Sequence, residues 1–148
     1  MPVLLDVIEL ANNIRKADVD ELNAITDMDV MDAILVSIEM SDPDFLFSAR
    51  SGEKLLAIGG CNIYGQPWMV STKHIFNYKK SLSKYAKCWV RMMLGKYRKL
   101  QNTVDSRNTK SIAWLKSIGF EFTGTVEHKP GFPFLIFEMS CHATENTT

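Results

Sequence analysis

The chain has 148 residues, 46% of them hydrophobic, with 17 basic and 17 acidic side chains and no formal net charge. That is enough for one domain around one core, and with no run of about 18 apolar residues no membrane span is expected. Three scattered cysteines do not make a disulfide framework, and the opening residues lack the basic lead and long apolar stretch of a secretion signal.

In chain order, Val3–Leu5 is a short strand candidate. Asp6 then caps a helix running through Ile14, with Val7, Leu10, Ala11 and Ile14 at helical spacing. Asp18 caps a second helix with Glu21 three residues on, and Val19, Leu22 and Ile25 form its apolar stripe. A third helix spans Asp29–Met40, with Met31, Ile34, Leu35 and Ile38 on one face, until Pro43 breaks the pattern. The rhythm then changes to strands at Phe45–Arg50, Leu55–Ile63 and Trp68–Thr72, an antiparallel meander. Gly59-Gly60 within the second of these predicts a bulge or a close backbone approach.

The clearest helix is Tyr78–Tyr97, where Leu82, Tyr85, Ala86, Trp89, Val90, Met93, Leu94 and Tyr97 recur at three and four. Strand Leu100–Val104, helix Asn108–Ile118, strand Phe120–Val126 and strand Phe134–Met139 follow. One domain over 1–141 with a polar tail over 142–148 is expected. The class is α+β, an α/β three-layer arrangement of helices on both faces of a mixed, mainly antiparallel sheet.

Charge is sorted along the chain. Residues 1–72 carry twelve acidic and four basic side chains, and residues 73–104 carry nine basic and no acidic ones. Such sorting points to an anionic ligand or partner, or to internal neutralisation by the acidic first half. The basic helix also carries Tyr78, Tyr85, Trp89 and Tyr97. These fall on its apolar stripe, so nucleic-acid binding is not favoured. Cys61, His128, Cys141 and His142 have no zinc-like spacing, so no metal is expected.

The segment Asn108–Phe120, with Asn opening a helix and Gly119-Phe120 ending it, resembles the closing half of a GNAT acyltransferase. Ile14–Leu22 and the hairpin Leu55–Thr72 are similar to two further parts of that plan. A closer likeness runs through Leu56–Gly60, Trp68–Thr72, Lys96-Tyr97, Asn108-Thr109 and Leu115–Gly119. These resemble internal virion protein A of T7-like podophages, a GNAT-like family linked to virion assembly. This resemblance implies a phage protein made in the cytoplasm of an infected bacterium, with a phage or host protein as partner. Oligomeric state, a homodimer included, is left open.

The superfamily resemblance implies acetyl-CoA as cofactor and N-acyl transfer as activity. Val70, Ser71 and Thr72 would then contact the thioester arm, and Lys79, Lys80, Asn108 and Ser111 would hold the cofactor's polar groups. Asp105 and His74 are the candidate bases. Asp105 also reads as an ion pair with Arg107 or a turn cap, and Asn108 as an N-cap. Two parts of the family pattern are missing. The phosphate-gripping loop corresponds to Lys73–Lys80, with no glycine from Gly65 to Gly95, although glycine allows the closest backbone approach. The Tyr expected seven residues after the asparagine is Leu115, which cannot donate a proton. The sequence thus leaves two readings: an atypical or degenerate acyltransferase, or a non-catalytic binder on that scaffold.

Overall fold

The computed structural model describes residues 2–141; the polar tail expected over 142–148 lies outside them. The elements are α1 (Leu4–Asn13), α2 (Lys16–Ile25), α3 (Val30–Glu39), β1 (Phe47–Ser51), β2 (Lys54–Cys61), β3 (Pro67–Ser71), α4 (Lys79–Tyr97), β4 (Lys99–Asp105), α5 (Thr109–Ser117), β5 (Glu121–Glu127) and β6 (Pro133–Ser140). Short 3-10 turns occupy Pro43–Phe45 and Lys73–Tyr78. The α+β expectation is met.

Strands β1-β2-β3 form one antiparallel sheet and β4-β6-β5 a second. They join edge to edge through β3 and β4 at one end only. There Gln101 N–H donates to the Gly65 carbonyl at 3.1 Å and the Asn102 side chain donates to the Pro67 carbonyl at 2.8 Å. The two strands run the same way from that junction and then separate. Their far ends, Ser71 and Asp105, both give their backbone N–H to carboxylates of α2.

Strand β2 is buried along almost its whole length because helices cover both of its faces. Leu55, Ile58 and Val70 pack with Val7, Leu10 and Ile34 of α1 and α3. On the other side, Leu56 and Ala57 pack with Ile75 and Leu82. A second cluster joins α4 through Val90 and Met93 to Leu100, Val104, Phe120 and Phe137. Removing area of this kind from water, about 25 cal/mol per Å², is the main force closing the domain.

Gly59-Gly60 marks a close approach. A Cβ on Gly59 would sit 2.5 Å from the Phe47 ring and 3.0 Å from the Trp68 carbonyl oxygen. The register irregularity falls elsewhere, between Ala49 and Arg50 on β1.

Several expectations are corrected. Val3–Leu5 is not a strand: Val3 is the N-cap and α1 begins at Leu4. Asp6 is therefore the third helical residue, where its carboxylate accepts the Val3 N–H at 2.9 Å and pairs with Arg50. Asp18 likewise is no cap, since α2 starts at Lys16. The face that α2 buries contains Asp18 and Ala24, with Glu21 between, whereas Ile25 is 44% exposed. Leu35 of α3 also faces outward. Tyr85 is 73% exposed, off the apolar stripe of α4. Lys73–Lys80, expected as a loop, is a 3-10 turn running into α4.

Candidate functional site

The place where β3 and β4 part is filled by a buried polar network hung on α2. Asp18 Oδ2 accepts the Ser71 N–H at 2.8 Å. One helical turn on, Glu21 Oε1 accepts the Asp105 N–H at 2.8 Å. Two backbone donors that sheet pairing would otherwise use are thus satisfied by carboxylates, as burial demands. Arg15, 9% exposed, sits at the N-cap of the same helix. Its guanidinium lies 3.7 Å from Asp18 Oδ1 and donates to Asn108 Oδ1 at 3.2 Å and to Ser111 Oγ at 3.4 Å.

The electrostatics follow from burial. Burial pushes the Asp18 carboxyl above its ordinary value, opposed by the Arg15 charge and the Ser71 N–H. Glu21 is pushed up to about 7, first by burial and then by the negative charges of Asp18 and Asp105. Asp105 goes the other way. Both its oxygens accept from the Arg107 side chain, at 2.6 to 3.2 Å, and Oδ1 also takes the Arg107 N–H at 2.9 Å, so its carboxyl is held below the usual range.

Of the residues singled out in the sequence, Ser71, Asp105, Asn108 and Ser111 meet in this network. Asn108 caps α5, accepting the Ser111 N–H at 3.4 Å, and holds Arg15 as well. Thr72 is fully buried, with its N–H on the Leu56 carbonyl and its hydroxyl on the Leu55 carbonyl. Val70 is core. His74 is half-buried beyond the strand end, its N–H donating to Thr72 Oγ1 at 3.3 Å. Lys79 lies over the Phe76 ring at 5.3 Å, and Lys80 is exposed. His74, Lys79 and Lys80 therefore stand outside the network. The backbone N–H groups of Ser71 and Thr72, expected to contact the thioester arm, are already engaged by Asp18 and the Leu56 carbonyl.

Sequence reasoning missed Arg15, Asp18 and Glu21 as site residues. The available signal was their spacing of three, which places a cation and two carboxylates along one helix face.

Between β3, the 3-10 turn, α4 and α5 lies a small pocket of about 20 Å³, room for about one water. Arg15 and Phe76 line it, with the guanidinium 5.1 Å from the ring centre. Trp114 also lines it and donates Nε1–H to Ser83 Oγ at 2.9 Å, tying α5 to α4. Leu115 packs on the core. Coenzyme A does not fit these residues as they stand: no glycine cradle is present, the Ser71 and Thr72 amides are taken, and the pocket beside them measures only about 20 Å³. Among the described residues no group of acidic, His or Cys side chains is arranged to hold a metal ion. No helix among them is long and apolar enough to cross a membrane.

No protein-family model matches the chain, and no curated protein matches it. Solved structures do. An aminoglycoside acetyltransferase crystallised with coenzyme A has a TM-score of 0.66 and 18% identity, over 97% of this chain and 94% of its own. A GNAT-family acetyltransferase from Bacillus anthracis gives 0.66 and 15%, over 93% and 90%. A ribosomal-protein-alanine N-acetyltransferase from Brucella melitensis gives 0.62 and 16%, over 94% and 96%. The chain has the fold of GNAT acetyltransferases.

Proposed function

We propose that this protein is a non-catalytic binding protein on the GNAT scaffold, a degenerate relative of acyltransferases. The observation that carries the reading is the Asp18 carboxylate on the Ser71 N–H. That amide lies on the splayed edge, where a polarising donor for an acyl thioester carbonyl would be needed. A buried anion there occupies the donor and repels developing negative charge. Arg15, Phe76 and Trp114 line the small pocket of about 20 Å³ beside it. The biological setting we infer is virion assembly in the cytoplasm of a phage-infected bacterium, with a phage or host protein as partner. The segments quoted from Leu56 to Gly119 support it, and the phage origin rests on them alone.

Calorimetric titration with acetyl-CoA at about 1 mM, the upper end of common Michaelis constants, is expected to give no binding heat. Saturable heat, or acetyl transfer to any amine panel, would overturn the reading.

One observation favours a second reading, an N-acyltransferase. Glu21, with a carboxyl near 7 beside Asn108, is suited to take a proton from an amine at neutral pH. It is a better base than Asp105, which Arg107 holds ionised. Under this reading acetyl transfer is measurable and Glu21→Gln abolishes its rise with pH around neutrality.

A further inference from the structure

A larger pocket lies between α4, α5 and the sheet β1-β2-β3. It measures about 670 Å³, within the range of about 300–1,000 Å³ usual for small-molecule sites. No residue of the buried polar network lines it, although it shares Met69, Leu82 and Trp114 with the small pocket beside the splay.

Its lining is aromatic. Phe47, Tyr78, Tyr85, Trp89 and Trp114 all border it, in a chain with 10% aromatic residues. Leu82, Tyr85, Ala86 and Trp89 are spaced by three, one and three, so a single face of α4 supplies them. The exposed cations of that helix, Lys80, Lys84, Lys87 and Arg91, lie on its other side, and none lines the pocket.

The lining also offers no free charge. Arg50 is the one charged residue in it, and its guanidinium is engaged with Asp6 and Glu9. The polar atoms left over are neutral hydroxyls, those of Ser51, Tyr78, Ser81 and Tyr85. An ion entering here would give up water without meeting a counter-charge, whereas an apolar ring gains by leaving water.

Two indoles hold the pocket open. Trp89 Nε1–H donates to the Phe45 carbonyl at 3.0 Å, and its ring meets Phe47 edge to face with centroids 4.8 Å apart. Trp114 Nε1–H donates to Ser83 Oγ at 2.9 Å. These contacts tie α4 to the lead into β1 and to α5, and α4 would lose them by settling onto the sheet. Both indole N–H groups are spent, so each ring presents apolar surface to the pocket.

We infer that this pocket binds an uncharged aromatic small molecule. Its rings pack among Phe47, Tyr85, Trp89 and Trp114, and a neutral polar group on it, a hydroxyl or a carbonyl, bonds one of the free hydroxyls. Rings lining one space satisfy the offset and edge-to-face geometries that aromatic pairs prefer. The inference goes beyond the binding-protein reading and does not rest on it. Acetyl-CoA titration probes the splay, and the test below probes a pocket bordered by β1.

The test uses the full chain and the neutral fluorescent probe N-phenyl-1-naphthylamine. Probe emission is expected to rise saturably while tryptophan emission is quenched. 2-Naphthol should displace the probe, and 2-naphthalenesulfonate, the same rings with a negative charge, should need at least about tenfold more. Ala49→Phe adds a ring from β1, where Ala49 packs on the cluster of Leu56 and Ala57, and should abolish probe binding with the urea midpoint kept. Tyr85→Ala, at a side chain 73% exposed, leaves the core untouched and should weaken binding at least about threefold. Absence of saturable binding, or binding that neither substitution changes, would overturn the inference. So would displacement by the sulfonate as readily as by 2-naphthol, or by 1-decanol more readily. Sedimentation showing a dimer that the probe dissociates would assign the pocket to a second copy, and would equally overturn it.

Discussion

Removing the Asp18 carboxylate probes the sealed splay most directly. In Asp18→Ala the Ser71 N–H loses its acceptor, and the Arg15 guanidinium, 9% exposed, loses its anion 3.7 Å away. An unpaired buried amide costs about 1–3 kcal/mol. A buried charge stripped of its partner costs about 3–5 kcal/mol. One carboxylate serves both groups, so the effects overlap and the expected loss is about 4 kcal/mol. Set against the roughly 5–15 kcal/mol that holds a domain together, this is large. With a urea slope of about 2 kcal/mol per molar, the midpoint should fall by about 2 M. Asp18→Asn keeps an acceptor oxygen for Ser71 but no charge, and provides a folded comparison at about half the loss. Adding Arg15→Ala to Asp18→Ala removes the stranded cation and should restore about 1–3 kcal/mol. A loss below about 1 kcal/mol for Asp18→Ala, or strictly additive effects of the two substitutions, would refute the buried network.

Stability should also follow pH in an unusual way. Glu21 is raised from 4.5 to about 7, so its contribution is complete below about pH 4.5 and is lost as pH rises through 7. The full span is worth up to about 3 kcal/mol. Asp18 shifts in the same sense. Asp42 is lowered to about 2, chiefly by its bonds from Lys96 Nζ at 2.5 Å and Tyr97 Oη at 2.6 Å. Its contribution is therefore present above about pH 4 and lost as pH falls through 2. Urea midpoints should peak near pH 4–5 and Glu21→Gln should flatten the fall toward neutrality; a midpoint flat from pH 5 to 8 would contradict this. Gly59→Ala forces a methyl into the Phe47 ring and the Trp68 carbonyl. It should cost about 1–3 kcal/mol, lowering the melting temperature by about 3–10 °C. An unchanged melting temperature would mean that β1 gives way freely at Phe47.

The elements that were legible in advance are those whose cause is local. Residues 82, 86, 90 and 93 repeat at helical spacing, and α4 buries those four. Asn108 was readable as a cap because a short acceptor before an apolar periodic run satisfies the first helical amides. The hairpins followed from turn residues between β-branched and apolar runs. The start of α1 was misread because Val3-Leu4-Leu5 has no periodicity of its own; Asp6, reaching back to the Val3 N–H, sets the helix start one turn earlier than the apolar spacing suggests.

The splay was legible in outline and misread in content. Asn108, Ser111, Asp105 and Ser71, singled out as catalytic or cofactor-binding, meet here as hydrogen-bonding partners of α2, since they sit at element ends that such folds bring together. Asp18 and Glu21 were assigned to capping, because a lone carboxylate in a sequence looks like a solvated or capping one. Only when β3 and β4 part do two backbone amides lack partners and draw those carboxylates inward.

Local pattern alone thus determined the order of helices and strands, the missing glycines before α4, and the concentration of positive charge along that helix, because each depends on near neighbours in the chain. Tertiary packing decided which acids are buried, that Arg15 bridges to Asn108, and that Tyr85 and the outer side of β1 stay uncovered. Those outcomes depend on which distant backbone groups are left without a partner, and no run of residues states that in advance.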